Sequence, residues 1–430
     1  MSPRFLHAAD IHLGNRQYGS RQRYYDFADT FSHLVDTATE QNVDSVLLAG
    51  DIFHRHAVAP ETLLQATKQL TRLKQAGIGC YVIEGNHDRP ISRRRMSWLQ
   101  YLADSDLLVL LSAPLIDGAF LLDPWTPETR RGCWIDLADG RRLVGAGYAG
   151  ANTRRLARRL TDLLAGLPPA THTTLMLHCG IQGTLFSDYP GSISERDLDS
   201  LGKHVDYVAL GHVHRPFCRN DWMYNPGSTE TVSAMEAEWA DRGYWIVDVA
   251  DHSHQATKVR SQRRPFLRLF HRVDSFSSPE SLYRSLSDLA GEQAMQVRPG
   301  SRPAVHLSLT GDLQFDRSLL DLDHLQEVIS QPLDALLCQV RDTSEYLVAD
   351  LLSDARLDRD EMERRVLLHL ASRDANRRPS ADAWADLTIE LKQMALAQAD
   401  PELIIGELAA YAEREGLVPH SPSIADVAPC

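Results

Sequence analysis

Five apolar runs rich in β-branched residues mark the first half of this 430-residue chain, and each ends in a side chain able to bind a metal. Phe5 to Ala9 leads into Asp10-Ile11-His12, Val46 to Ala49 into Gly50-Asp51, and Cys80 to Ile83 into Gly85-Asn86-His87-Asp88. Thr173 to Leu177 precedes His178, and Val205 to Leu210 precedes Gly211-His212-Val213-His214. Short runs of this kind read as buried strands. In an open α/β sheet, groups just past the carboxyl ends of such strands meet in one crevice, so residues far apart in sequence share a site. The expected class is therefore α/β, with its chemistry at the strand ends.

The donor set narrows that chemistry. Asp10, His12, Asp51, Asn86, His178, His212 and His214 supply carboxylate, amide and imidazole donors in the number needed for two divalent metals. Oxygen donors mixed with imidazoles and without thiolates suit Mn²⁺, Fe²⁺ or Zn²⁺, and manganese is the ion expected. Asp51 is the natural bridge, because one carboxylate can give an oxygen to each ion. The glycines before Asp51, Asn86 and His212 let the backbone turn while the next side chain points inward. Paired metals clamp phosphate esters and lower the pKa of water, so phosphoester hydrolysis follows. His54 and His87 remain outside the ligand set, and either could protonate a leaving oxygen or stabilise charge. Any single signature of this kind arises often by chance. Five in order, each after a strand, do not.

The order Asp-x-His, Gly-Asp, Gly-Asn-His-Asp, lone His and Gly-His-x-His resembles the calcineurin-like metallophosphoesterase pattern. His7 to Gly14, Val43-Asp44 through Ala49 to His54, and Ile83 to Arg89 closely resemble the Mre11/SbcD nucleases, over roughly residues 1 to 340. The resemblance implies a four-layer α/β/β/α sandwich with a small α+β capping domain and a helical C-terminal tail. It implies one metal at Asp10, His12, Asp51 and His214, and another at Asp51, Asn86, His178 and His212. His87 would be the catalytic histidine that protonates the leaving 3′ oxygen, and His54 would help position the nucleic-acid end. The family's activity would be 3′-to-5′ exonuclease and single-strand endonuclease in double-strand break repair. Its partners would be DNA ends and single strands, a Rad50/SbcC-like ABC-type ATPase, and a second copy of the chain.

Residues 122 to 142, with Asp123-Pro124-Trp125 and Trp134, depart from the pattern as a local insertion or unusual hairpin. His56 reads as a solvated loop histidine and Cys179 as core. Asn225-Pro226-Gly227-Ser228 resembles a family turn near the site, though it is also an ordinary Pro-Gly turn.

A chain of this length exceeds one core, so two or three domains are expected. No apolar run is long enough to span a bilayer, the start shows no apolar leader, and the six cysteines show no paired spacing. A reduced cytoplasmic setting and no membrane contact are the expectation. The net charge of −13 is unusual for a DNA binder. Bound cations would offset it locally, and the carboxylates are expected to gather in the tail. Arg21 with Arg23, and Arg93-Arg94-Arg95, are the clusters expected to touch DNA. Arg154-Arg155 with Arg158-Arg159, and Arg263-Arg264, read as solvated.

Helical spacing predicts a first helix after Tyr24-Tyr25, a second opened by Pro60, and a third from about Ser92 through Leu102. The nuclease domain is expected over 1–260, followed by a polar stretch from Asp251 to Arg264. A capping domain is expected over 265–343, with a helix from Ser318 to Ile329. A helical tail over 344–430 would carry Met362 to Leu370 and Trp384 to Met394 on two helices and offer an ATPase-binding face.

Two other functions compete. One is a phosphoesterase of small diesters or phosphoproteins. It is weakened because Ile52-Phe53-His54-Arg55 follows Asp51 where protein phosphatases of this fold carry a second Asp and Arg-Gly. The other is a non-catalytic scaffold for the ATPase, which the intact ligand set opposes.

Overall fold

The computed structural model describes residues 2–90, 96–183, 191–346, 359–372, 380–397 and 399–414. Two compact units emerge. The first comprises Met1–Arg268, Val297–His306 and Asp334–Gln339.

Its first half alternates strand and helix as the apolar runs demand. Strands β1 (Arg4–Ala8), β2 (Ser45–Leu48), β3 (Gly79–Val82) and β4 (Val109–Leu110) run parallel, with Leu6 opposite Val46 and Val46 opposite Cys80. A small hairpin follows, β5 (Leu115–Ile116) and β6 (Ala119–Phe120). A second sheet is built from β7 (Trp134–Asp136), β8 (Arg141–Ala146), β9 (His172–His178), β10 (Tyr207–Gly211), β11 (Phe217–Arg219) and β12 (Met223–Asn225). Its order is β11-β12-β10-β9-β8-β7, and Gly211 lies opposite His178. Strands β13 (Gly243–Ala250) and β14 (Ser253–Arg260) then return to the first sheet, giving β14-β13-β1-β2-β3-β4.

Three cores stack these parts into the expected α/β/β/α sandwich. Helices α1 (Arg21–Glu40), α2 (Pro60–Gln75) and α3 (Trp98–Asp104) bury Phe31, Leu34, Leu70, Leu73 and Leu99 against the first sheet. Helices α4 (Thr153–Gly166) and α5 (Glu195–Leu201) bury Leu156, Leu160 and Leu198 against the second. Between the sheets lie Phe5, Leu47, Ala49, Leu143, Met176, Tyr207 and Val247.

Several boundaries move for identifiable reasons. Helix α1 starts at Arg21, ahead of Tyr24-Tyr25, because Ser20 Oγ caps the N–H of Arg23. Helix α3 starts at Trp98 rather than near Ser92, because Ser97 Oγ accepts the Gln100 N–H at 3.0 Å; residues 91–95, including the Arg93-Arg94-Arg95 cluster, lie outside the described residues. The polar stretch after Asp251 is largely strand β14, an edge strand paired only with β13, so it needs no apolar face. The 122–142 region resolves as a hairpin in which Thr126 bridges Arg131 and the Trp125 N–H reaches the Trp134 carbonyl at 2.7 Å. Among the described residues the five cysteines are free, and no helix is long and apolar enough to cross a membrane.

The second unit takes in Leu269–Gln296, Leu307–Leu333 and Val340–Cys430. It holds parts of β15 (Phe266–Arg272), β16 (Ala304–Thr310) and β18 (Leu337–Asp342), which form a three-stranded sheet, and β17 (Asp312–Leu313) paired with β19 (Glu345–Tyr346). Helices α6 (Pro279–Ala294) and α7 (Leu322–Leu333) bury Leu282, Leu286, Leu325 and Ile329. Helix α7 begins at Leu322 rather than Ser318, because Asp321 Oδ1 accepts the N–H groups of Asp323 and His324, each at 3.0 Å. Among the described residues three further helices follow: α8 (Arg359–Ser372), α9 (Ala381–Leu396) and α10 (Pro401–Arg414), the last unforeseen from the sequence.

Candidate metal centre

Seven side chains expected to bind metal converge at the carboxyl ends of β1, β2, β3, β9 and β10. Asp10, His12 and His214 place one donor atom each within 4.8 Å of one another, and so do Asp51, His178 and His212. His12, His54 and His87 form a third such group. Asn86 joins the second cluster, its Oδ1 lying 3.3 Å from His178 Nε2 and 3.0 Å from His212 Nδ1.

Asp51 joins the two halves. Its Oδ2 lies 3.3 Å from His178 Nε2 and 3.9 Å from His12 Nε2. Its Oδ1 is engaged elsewhere, accepting the His87 N–H at 2.8 Å. Oδ2 thus faces a histidine of each cluster, which places the carboxylate between them.

The orientation of the rings tests whether cations fit. His178 Nδ1 donates to the Ala49 carbonyl at 2.7 Å, and His214 Nδ1 donates to Glu236 Oε1 at 2.7 Å. In a neutral ring, Nε2 then presents a lone pair. Those lone pairs face oxygens of Asp51 and Asn86, and His214 Nε2 faces His12 Nε2 at 3.1 Å. Such contacts repel unless a proton or cation lies between the atoms. A divalent ion in each cluster fits that donor set, with the carboxylate and carbonyl behind each histidine fixing its tautomer.

The electrostatics point the same way. Burial disfavours charge on His178 and His214, yet Asp51 beside the first and Glu236 beside the second outweigh it and raise both to about 9. Burial and the neighbouring histidines hold His12 far below the ordinary imidazole value and bring His212 down to about 3. Burial would raise Asp51, but His178 and His12 keep it ionised well below the usual carboxylate range. Burial lifts Asp10 to about 6, with His214 and His178 opposing. A buried carboxylate amid mutually repelling rings is a site that stabilises cations.

His54 and His87 stand beside the clusters as a stacked pair, ring centroids 5.6 Å apart at 17°. His87 Nδ1 donates to the His54 carbonyl at 2.7 Å, leaving Nε2 for other work. His54 Nδ1 lies 3.3 Å from His12 Nδ1, and burial with the neighbouring His87 lowers its pKa to about 4.

Close backbone approach explains two of the glycines. A Cβ on Gly50, at φ +90°, would meet His178 Nδ1 at 2.4 Å, and one on Gly85 would meet Asp51 Oδ1 at 2.0 Å. Gly50 thus serves the turn and the packing, whereas Gly85 serves only the packing.

Other residues hold the site, Asp88 and Glu236 among them without a role foreseen in the sequence. Asp88, quoted in the sequence signature without a role, accepts the N–H groups of Phe53 at 2.9 Å, Gly85 at 3.0 Å and Ile52 at 3.2 Å, tying the Asp51 loop to the Asn86 loop. Asn225 Nδ2 donates to the carbonyls of Val213 and Arg215, which bracket His214, so its Pro-Gly turn is a structural support. Glu236 carries five contacts: His214 Nδ1, the Ser233 and Val232 N–H groups, Ser228 Oγ and the Arg242 guanidinium. The pattern Ser233-x-x-Glu236 marks it as a capping pair in sequence, but nothing local ties it to His214.

The expected DNA contact at Arg23 is corrected. That side chain is buried and pairs with Asp26 at 2.8 Å and Glu230 at 3.0 Å, so it serves the core. Arg21 is exposed and reaches Tyr25 Oη at 3.2 Å. Arg154 and Arg158 both pair with Asp197; Arg264, read as solvated, is instead largely buried and paired with Asp26. His56 is exposed and rests on the Arg89 carbonyl.

The calcineurin-like phosphoesterase model matches residues 3–216. The DNA double-strand break repair protein Mre11 of Archaeoglobus fulgidus is 41% identical over 361 residues, covering 75% of this chain and 76% of that protein. The protein of the same name from Aeropyrum pernix is 28% identical over 324 residues, covering 74% and 75%. For that of Methanosarcina mazei the identity is 27% over 344 residues, covering 79% of this chain but 49% of the relative. The chain thus spans only about half of some of the curated relatives it matches.

Proposed function

Because the chain belongs to the Mre11 family of calcineurin-like phosphoesterases, we propose that it is a DNA nuclease of double-strand break repair. Its activities would be 3′-to-5′ exonuclease and single-strand endonuclease, dependent on two divalent ions, with Mn²⁺ preferred. The observation that carries this reading is Asp51 Oδ2, which faces both donor clusters at once. Asp10, His12, Asp51 and His214 would hold one ion, and Asp51, Asn86, His178 and His212 the other. When bound, such a pair supplies Lewis-acid polarisation of a phosphodiester and a water of lowered pKa.

The protein's own groups do the rest. His87, with Nδ1 tied to the His54 carbonyl, presents Nε2 to protonate the leaving 3′ oxygen. His54, stacked on it, positions the strand end. Residues 1–260 would form the nuclease domain, 265–343 a cap that gates access, and 344–430 a helical tail. Exposed Val366, Leu370, Leu396, Leu403 and Ile405 on α8 to α10 suit docking of a Rad50/SbcC-like ATPase. Exposed Leu64, Trp98 and Tyr101 on α2 and α3 suit a homodimer. Double-strand ends and single strands would be the substrates, in the reducing cytoplasm.

Labelled duplex and single-stranded DNA, bis-p-nitrophenyl phosphate and a phosphomonoester, each offered with Mn²⁺, test this. DNA is expected to be degraded, and His87→Ala to abolish cleavage while manganese still binds by calorimetry. Dominant monoester hydrolysis with intact DNA would overturn the assignment.

A further inference from the structure

We propose that the recess beside His212 and His214, walled by Val213, Met235 and Trp239, seats one nucleobase of the strand whose phosphate is cut. This rests on the nuclease reading above. The recess measures about 230 Å³, smaller than the roughly 300–1,000 Å³ of sites that enclose drug-sized ligands. It therefore takes a single ring system rather than a peptide segment. Two of its walls are His212 and His214 themselves, so an occupant is the immediate neighbour of a phosphate held at the centre.

The chemistry of the other walls selects a flat apolar face. Met235 is 60% exposed on the 3₁₀ turn Ala234–Glu238, a large apolar side chain beside a group of histidines and carboxylates. A thioether makes favourable contacts with aromatic rings, and Trp239 adds an indole. Stacking of this kind tolerates any base, because every base has a π face.

The recess is also built in advance. Glu236 pins the turn through Ser233, Val232 and Arg242, while the Trp239 carbonyl accepts Arg242 Nε at 3.1 Å. Preformed walls spare the ordering cost that a loose loop would incur on binding.

Fluorescence anisotropy with the full chain and short labelled single strands bearing nuclease-resistant linkages is the test. The strands are intact or carry one abasic residue stepped along their length. One position is expected at which base loss weakens binding about fivefold to a hundredfold. Trp239→Ala and Met235→Ser are expected to bind the intact strand more weakly and to lose sensitivity to the abasic residue at that position. Met235, being largely exposed, reports even if the tryptophan variant misfolds. Strands that bind equally well with every abasic placement would overturn the proposal, as would undiminished sensitivity in Met235→Ser. Absence of both strand binding and Mn²⁺-dependent diester hydrolysis would instead remove the nuclease reading and this inference with it.

Discussion

Asp10, His12, Asp51 and His212 adopt φ values of 54°, 52°, 53° and 88°, the left-handed region. Each such residue with a Cβ costs roughly 1–2 kcal/mol. Other non-glycine residues share that region, Asn42, Asn220 and Asp221 among them, but these four meet in one place, where such strain marks functional constraint held by the rest of the fold. Glu236 holds their neighbour His214 through Nδ1. Glu236→Gln is expected to weaken Mn²⁺ binding about tenfold to a hundredfold, measured by calorimetry, with the circular dichroism spectrum unchanged. Equal affinity would remove Glu236 from the centre. The convergence of the seven side chains was legible because each follows an apolar run that names its strand. Asp88 and Glu236 were hidden because they act on a distant loop, and hydrogen bonds such as Glu236 to His214 leave no period or spacing in the sequence.

Strand β1 brings a buried histidine into the middle of the sandwich. His7 Nε2 donates to the Leu210 carbonyl at 3.0 Å, and its Nδ1 lies 2.9 Å from Tyr207 Oη. Burial lowers its pKa from 6.5 to about 3, with Lys258 adding to the effect. The unfolded chain therefore binds a proton that the folded one refuses between those values. His7 contributes stability above pH 6.5, and that contribution drains away as the pH falls toward 3. The slope is about 1.4 kcal/mol per pH unit where one proton separates the states. Urea titrations from pH 6.5 to 4 should show it, and His7→Asn should flatten the profile by that amount; an unaltered slope would contradict the neutral buried ring. The β-α alternation around this strand was legible from apolar periodicity. Helix starts were misplaced where a cap decides them: Ser20, Ser97 and Asp321 each set a boundary that the apolar stripe alone does not. Strand β14 escaped because an edge needs only backbone pairing. Helix α10 was announced by Asp400-Pro401, with Asp400 Oδ1 accepting the Glu402 N–H at 3.0 Å, a signal passed over in the acidic tail.

Over the whole molecule the charge is unevenly spread. Residues 380–416 carry 8 of the 58 carboxylates but only 2 basic side chains, which is −6 of the −13. Deleting that span is expected to speed association with single-stranded DNA at low salt, since like-charge repulsion slows encounter. The same deletion should spare the proposed Mn²⁺-dependent cleavage and abolish co-purification of the proposed ATPase partner; persistence of the complex would place docking elsewhere. Asp10 and Asp51 hang from one sheet, His178 and His212 from the other, so the donors are assembled only while the two layers stay pressed together. Cations lodged there would act as rivets through the laminate, adding to the melting temperature by mass action. Chelation with EDTA should lower Tm in proportion to prior loading and hasten amide deuteration along β1, β2, β9 and β10 first. Heat resistance and catalytic competence would then rise and fall on the same supply of metal.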